Sequence, residues 1–383
     1  MDRTLKLDSK RVYALSCSCY GEAEVKKCVY ELLEKQTDEL KFEISGKNVL
    51  LKPNLLAKRE PNMAVTTNPQ ILKFTAMFFS EKGANVIVAD SPGGIYNLGI
   101  LKGIYKVCEI EKAALEGGAE LNFDTGYQNV SADGEKSKNF DIINPIVKAD
   151  LVVNLPRLKT HALCEMSAAV KNMFGSIPGL MKAEMHARFP KRVDFASMLL
   201  DLCLLTAPEI NILDAVICME GNGPAGGTPK KVGLMLGSVN PFVLDRVGAY
   251  LMGYEANEVG TLHESIKRGL APEKIEEVEI LGENIESYKS AFLRPDGHAG
   301  GIVKQIPTLF GGRLQKWLEP KPVIITKKCI GCGECERCCP VKTIEVKNRK
   351  AYINPEKCIK CYCCQELCPM KAVEVKRKKF LKF

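Results

Sequence analysis

The amino-acid sequence predicts an α/β domain, with a mixed or parallel sheet covered by helices, followed by a small α+β domain. Three observations carry that prediction. Short apolar runs alternate with helical stretches through residues 1–292, polar residues gather just beyond those runs, and ten cysteines crowd between Cys329 and Cys368. Apolar runs separated by helices mark strands buried on both faces.

The elements follow in order. Residues 12–16 read as a strand and 22–40 as a helix. A strand at 48–51 leads into Lys52-Pro53-Asn54. Asn68-Pro69 opens a helix that runs to Lys82, since Asn can cap the free amides and Pro suits the first turn. A strand at 85–89 ends in Asp90-Ser91-Pro92-Gly93-Gly94, and a helix over 98–115 follows. A strand at 151–154 runs out into Leu155-Pro156-Arg157-Leu158-Lys159-Thr160-His161, with a helix over 164–174 after it. The next helix spans 194–205, with Asp194 as its N-cap. A strand at 210–218 ends at Glu220 and a glycine-rich loop, 221–227. A strand at 231–237 precedes a helix beginning near Pro241. The chain divides into a domain at 1–292, a Pro/Gly-rich connector at 293–322 and a cysteine-rich module at 323–383.

Eight of the ten cysteines fall into one spacing written twice: Cys329-x2-Cys332-x2-Cys335-x3-Cys339-Pro340 and Cys358-x2-Cys361-x2-Cys364-x3-Cys368-Pro369. Three closely spaced thiolates face one cubane and the fourth crosses to the other, as in bacterial-type two-cluster [4Fe–4S] ferredoxins. The spacing assigns Cys329, Cys332, Cys335 and Cys368 to one cluster. Cys358, Cys361, Cys364 and Cys339 take the other. Zinc sites lack the repeated x3-Cys-Pro ending, and disulfides need an oxidising compartment. Cys338 and Cys363 occupy unmatched places in the two halves and are expected as small buried thiols. Residues 343–346 and 372–375 continue the halves alike, each as a short strand.

Of the 383 residues, 46% are apolar, enough for one large and one small core. The start, MDRTLKLDSK, has no signal-peptide apolar stretch. No apolar run approaches the roughly 18 residues of a membrane span, so a cytoplasmic protein without membrane contact is expected. The remaining seven cysteines are scattered, as suits a reducing compartment. From Val323 onward, 15 Lys/Arg face 6 Asp/Glu, a balance of +9 against +8 for the whole chain. Residues 1–322 therefore carry about −1. The basic module, with Lys376-Arg377-Lys378-Lys379 at its end, fits an acidic electron-transfer partner such as a ferredoxin or flavodoxin. No nucleic-acid recognition motif accompanies the charge.

Ligands of open α/β sheets bind beyond the carboxyl ends of the strands. Lys52 and Asn54 follow one strand, Asp90 another, and Lys159, Thr160 and His161 a third; Asp214 and Glu220 lie in or after a fourth. Loop 221–227 can bring backbone N–H groups close to a ligand, yet it is neither GxGxxG nor a P-loop. Lys171 lies late in a helical stretch, and Lys182, His186 and Arg188 follow. Such cations suit a carboxylate or phosphate. A site for a small anionic ligand or cofactor is expected at Lys52, Asn54, Asp90, Lys171 and Gly223, with Lys159 and His161 as candidate catalytic residues. Asp90, Asp214 and Glu220 are competing features that can orient the cations, act as bases or hold a metal.

The pieces Lys52-Pro53-Asn54, Asp90-Ser91-Pro92-Gly93-Gly94, Arg157-Leu158-Lys159-Thr160-His161, Ala169-Val170-Lys171-Asn172-Met173-Phe174-Gly175 and Asn222-Gly223-Pro224 resemble the DUF362 domain. Its fusion to a ferredoxin module containing Cys358-Ile359-Lys360-Cys361-Tyr362-Cys363-Cys364 is similar too. The resemblance spans nearly the whole chain. It implies the architecture and the clusters, and no established substrate.

The resulting expectation is a redox protein whose two clusters pass single electrons to or from an anion held by the α/β domain. If an enzyme, it is a ferredoxin-linked oxidoreductase. Two readings from other classes stand beside it. One is a ligand-binding or assembly module whose clusters serve docking or structure. The other is a lyase or isomerase using Lys159 and His161.

Overall fold

A computed structural model describes residues 3–296 and 319–376. Most of the expected connector and the basic residues Arg377, Lys378 and Lys379 lie outside these.

The large domain opens with β1 (Arg11–Ser16), α1 (Glu22–Leu40), β2 (Asn48–Pro53), α2 (Pro69–Glu81), β3 (Asn85–Val88), α3 (Leu98–Val107), α4 (Ile110–Gly117) and β4 (Glu120–Leu121). A two-stranded ribbon, β5 (Tyr127–Ser131) and β6 (Asn139–Ile143), and α5 (Asn144–Lys148) lead to β7 (Leu151–Leu155), β8 (Arg157–His161), β9 (Glu165–Ser167) and α6 (Ala169–Asn172). Then come α7 (Met181–Arg188), α8 (Arg192–Thr206), β10 (Ile210–Glu220), β11 (Thr228–Ser238), α9 (Pro241–Leu251), α10 (Gly260–Lys267) and β12 (Glu279–Gly282).

The sheet runs β12-β1-β11-β10-β7-β2-β3-β4, with β8 added against β10 and β9 against β8. The pairs from β10 through β7, β2 and β3 to β4 are parallel. Strand β11 is antiparallel to both β1 and β10, so the sheet is mixed. Leu32, Leu72, Phe78 and Phe79 of α1 and α2 fill one face. Phe195 and Leu199 of α8, with Phe242 and Val247 of α9, fill the other. Burial on both faces explains the near-continuous apolar strands. Asn68 and Asn240 each accept a backbone amide two residues on (2.9 and 3.0 Å), and Pro69 and Pro241 follow them at the helix starts.

Four stretches depart from the sequence expectation. The helix over 98–115 is two helices, broken where Glu109 turns left-handed (φ 57°). Residues after Leu155 form a strand: Pro156 carries no amide for the β7 ladder, its carbonyl accepts from Asp214, and the chain shifts to pair with β10 as β8. The helix over 164–174 is instead β9, the short α6 and a 3-10 turn at Met173–Ser176. The start of α6 is capped from a distance, because Asp245 on α9 accepts the amides of Ala169 (2.6 Å) and Val170 (3.2 Å). Asp194 is not the N-cap of α8; it lies in the first turn and pairs with Lys136 at 2.7 Å.

The cysteine-rich module holds β13 (Lys321–Ile324), α11 (Glu334–Arg337), β14 (Ile344–Lys347), β15 (Lys350–Ile353), α12 (Cys363–Leu367) and β16 (Val373–Lys376). Strand β13 pairs with β16, and β14 with β15. Its halves repeat at an offset of 29 residues (329 to 358). Left-handed backbone repeats with them: Gly331 (φ 70°) matches Lys360 (57°), Gly333 (79°) matches Tyr362 (63°), and Lys342 (50°) matches Lys371 (48°). Only glycine fits at 331, where a Cβ would lie 2.5 Å from the Arg349 backbone. Among the described residues, no helix is long and apolar enough to cross a membrane.

Candidate functional site between the sheet and the cysteine-rich module

A cavity of about 80 Å³ lies beyond the carboxyl ends of β2, β3 and β8. Its walls come from both parts of the chain. Asn54, Asp90, Lys159, His161, Lys171, Lys182 and His186 line the large-domain side; Cys338, Cys363, Glu366 and Leu367 line the other. The module is fastened there by Arg59 donating to the Cys368 carbonyl (3.0 Å) and Gln365 donating to the Asn222 carbonyl (3.3 Å). Leu367 packs against Gly93, where a Cβ would come within 2.5 Å of it.

The lysines divide by what holds them. Lys52 is fully buried below the cavity and pairs with Asp90 at 2.8 Å. Gly175 permits that pair, since a Cβ there would lie 2.0 Å from Asp90 Oδ1 and 2.7 Å from Lys52 Nζ. Lys159 donates to Asn54 Oδ1 and the Val65 carbonyl, both at 2.5 Å. Lys182 donates to Ser91 Oγ (2.9 Å) and the carbonyls of Pro92 (3.2 Å) and Ile177 (2.6 Å). The Lys171 side chain makes no hydrogen bond or ion pair among the described residues; its Nζ lies 4.6 Å from the centre of the Phe174 ring. It is the uncommitted cation of the cavity.

Burial drives the electrostatics. Desolvation, then the like charges of Arg157 and Lys171, pushes Lys159 down to about 7. Desolvation also brings Lys182 to about 7 and His186 to about 3, with Lys171 adding to both. His186 stacks on Phe195 at 4.2 Å, which suits a neutral ring. His161 falls well below its usual range for the same causes. Glu366 is raised by burial, against the pull of Lys171 and Lys159.

Asn54 is the cavity end of a row of buried amides. Lys159 donates to Asn54, Asn54 to Asn172 (2.8 Å), Asn172 to Asn154 (2.7 Å) and Asn154 to Asn211 (2.9 Å). Asn154 and Asn211 are register partners on β7 and β10, and Lys52 sits beside Asn154 on β2. The sequence reading did not single out Asn154, Asn172 or Asn211.

Of the residues expected at an anion site, Asn54, Asp90 and Lys171 line the cavity with Lys159 and His161. Lys52 and Gly223 do not. Gly223 packs edge-on against β8, where a Cβ would lie 2.0 Å from the Thr160 carbonyl. Pro224 next to it reaches the cavity. The competing carboxylates are each taken by a separate cation: Asp90 by Lys52, Asp214 by Arg157 (2.6 Å) and Glu220 by Lys230 (3.0 Å). Glu366, Cys338 and Cys363 were missed as lining residues. One signal was present: at the 29-residue offset Glu366 matches Arg337, Cys363 matches Glu334 and Leu367 matches Cys338, so the half that meets the large domain differs at these positions.

The cysteines fit a pair of cubanes. A small cavity of about 20 Å³ is lined by Cys329, Cys332 and Cys335 together with Cys368 from the other run. Cys358 lies in the field of Cys361 and Cys339. Backbone amides point at cysteine sulfurs: Thr343 to Cys339 (3.3 Å), Ala372 to Cys368 (3.2 Å), Ala351 to Cys329 (3.4 Å) and Lys360 to Cys358 (3.4 Å). Such donors stabilise thiolate ligands and tune cluster potentials.

Known proteins resemble this chain in two blocks. Residues 49–250 match the domain of unknown function DUF362, and residues 321–369 match a 4Fe-4S dicluster domain. A thylakoid-associated protein of Synechocystis sp. is 31% identical over 270 residues, which are 69% of this chain and 81% of that protein. The solved lactate racemase apoprotein of Thermoanaerobacterium thermosaccharolyticum gives a TM-score of 0.41 at 12% identity over 67% of this chain. This chain spans 58% of that structure's chain, less than two thirds. The DUF362 match takes in more than half of the sequence, and the chain belongs to the DUF362 family, here joined to an iron–sulfur dicluster domain.

Proposed function

We propose that this chain is a redox protein in which two [4Fe–4S] clusters exchange single electrons with a small anion bound between the two domains. One cluster is held by Cys329, Cys332, Cys335 and Cys368, the other by Cys339, Cys358, Cys361 and Cys364. The observation that carries the reading is the double-walled cavity. The uncommitted Lys171 stands on one side, and Cys338 and Cys363, sequence neighbours of ligands Cys339 and Cys364, stand on the other.

When bound, the clusters supply one electron at a time, at potentials set by their surroundings. Lys171 binds the anion by charge. Lys159 and Lys182, pinned by protein acceptors, shape the field around it. His161 presents an N–H toward Glu366 at the domain junction. Phe174, Leu180 and Leu367 give the cavity apolar walls. If the anion is turned over, the protein is a ferredoxin-linked oxidoreductase. A cytoplasmic setting suits its seventeen cysteines.

The test is anaerobic purification, followed by mass spectrometry of any co-purifying small molecule. Potentiometric titration of the clusters with and without inorganic phosphate and a panel of small carboxylates completes it. The reading expects one anion to shift a cluster potential and Lys171→Met to abolish the shift. No bound anion and no shift with any of them would refute it.

A further inference from the structure

The repeat of the cysteine-rich module presents two equivalent cluster loops, and the rest of the chain treats them differently. The loop from Cys358 to Tyr362 is covered: Tyr362 is 2% exposed and donates to the Pro320 carbonyl (3.0 Å), Lys360 pairs with Glu319, and Ile359 is half-buried. The matching loop from Cys329 to Gly333 is open at two places: Cys329 and Gly331 are half-buried and Gly333 is buried, while Ile330 and Cys332 face outward. Cys332 is exposed where Cys361 is half-covered, and Ile330 is 51% exposed. Met370, 46% exposed, lines the same small cavity as Ile330 and the four sulfurs of Cys329, Cys332, Cys335 and Cys368.

Charge surrounds this apolar centre with one sign left over. Two nearby carboxylates are held by cations, Glu334 by Arg337 (2.6 Å) and Glu374 by Lys328 (2.9 Å) and Lys376 (3.3 Å), and Glu336 accepts the Val346 amide (3.2 Å). The side chains of Lys327, Arg349 and Lys371 make no hydrogen bond or ion pair among the described residues. Arg349 has its backbone against Gly331, and Lys371 follows Met370. An apolar centre beside a cluster, with uncommitted cations close to it along the chain, complements a partner with the opposite charge. Weak electron-transfer contacts are small and depend on such complementarity.

We infer that the face around Ile330 and Met370 is where an acidic one-electron carrier protein docks, so that electrons pass between carrier and chain through the cluster on Cys329, Cys332, Cys335 and Cys368. The inference rests on the redox reading above and adds a route to it: the covered loop serves the cavity, and the more open one serves the partner. In each encounter one electron crosses between carrier and cluster, the donor being oxidised and the acceptor reduced by that one electron.

The test uses the full chain, reconstituted anaerobically, with an acidic two-cluster ferredoxin as probe and an acidic flavodoxin as a second. Affinity is measured by calorimetry at low and physiological ionic strength. Wild type should bind one or both, more weakly as salt rises. Ile330→Glu and Arg349→Glu should each weaken binding at least tenfold at low salt, with iron content and cluster absorbance unchanged. Lys138→Glu, on the β5–β6 ribbon, should change nothing. No binding to either probe, or affinity untouched by both substitutions, overturns the inference. If the partner docks here and reduces the clusters while no anion shifts a potential, the cavity reading fails and this face stands.

Discussion

His161 Nε2 of strand β8 lies 3.3 Å from Glu366 Oε1 of helix α12, across the junction of the two domains. His161 Nδ1 accepts the amides of Leu163 and Cys164, so its proton sits on Nε2 and faces the module. Burial pushes His161 down and Glu366 up, and both shifts favour neutral forms. The two atoms are close without hydrogen-bond alignment, which leaves Glu366 Oε1 unpartnered among the described residues. Glu366→Gln keeps the shape of the side chain and should leave amide exchange of β8 unchanged. Glu366→Lys sets a cation against Lys159 and Lys171 and should speed it.

Lys171→Met should weaken anion binding at least tenfold, about 1.4 kcal/mol, and leave the urea midpoint near that of wild type. No protein acceptor loses a partner in this variant. Equal loss of binding and stability would point to a framework role instead.

Anion affinity should fall as pH rises through about 7, where buried Lys159 and Lys182 discharge. A carboxylate probe, whose own charge is constant from about pH 6 to 8, isolates the effect; Lys159→Met should reduce it, and adding Lys182→Met should flatten it. Stability runs the other way. A lysine whose folded pKa lies below its unfolded value binds fewer protons in the native state across that window. Stability therefore rises from about pH 7 toward 10.5.

Gly175→Ala should cost about 3 kcal/mol or more, or prevent folding, because the new Cβ collides with both members of a buried ion pair. Chemical denaturation measures it. A change under about 0.5 kcal/mol, typical of a surface site, would mean the Lys52–Asp90 pair moves freely.

Wild type should hold about eight irons, two cubanes' worth. Cys339→Ala should damage the cluster of Cys358, Cys361 and Cys364 more than the one served by its own run. Iron and sulfide analysis with electron paramagnetic resonance distinguishes the two. Cys338→Ala and Cys363→Ala should leave iron content unchanged; about four irons in wild type, or bound zinc, would contradict the crossed arrangement.

The sequence made some of this legible and hid the rest for physical reasons. Strands buried on both faces announce themselves by composition, and Asn68-Pro69 and the region of Pro241 announce helix starts, because those signals are local. Strand β8 was hidden because its pairing moves from β7 to β10 at Pro156. Helix α6 was misjudged because its cap, Asp245, stands 76 residues downstream of Ala169. The cavity residues Asn54, Asp90, Lys159 and His161 were visible as polar groups past expected strand ends, and Lys171 as a cation late in an expected helix. Which lysine was committed to a partner was not, since that depends on acceptors such as Val65 and Ile177 that carry no polar side chain. The module's share of the cavity was visible only as a difference between two halves of a repeat.

The row of amides from Asn211 to Lys159 has a sense of travel. Asn211 Nδ2 is engaged by the carbonyls of Pro208 and Ser238, so its oxygen has to face Asn154. Each amide after it is then obliged to turn the same way, and rotating any one would set nitrogen against nitrogen on one side and oxygen against oxygen on the other. The last oxygen, on Asn54, is thereby aimed at Lys159 from the middle of the sheet. Two carbonyls far from the cavity, with no contact to anything bound there, decide which way its buried amine must point.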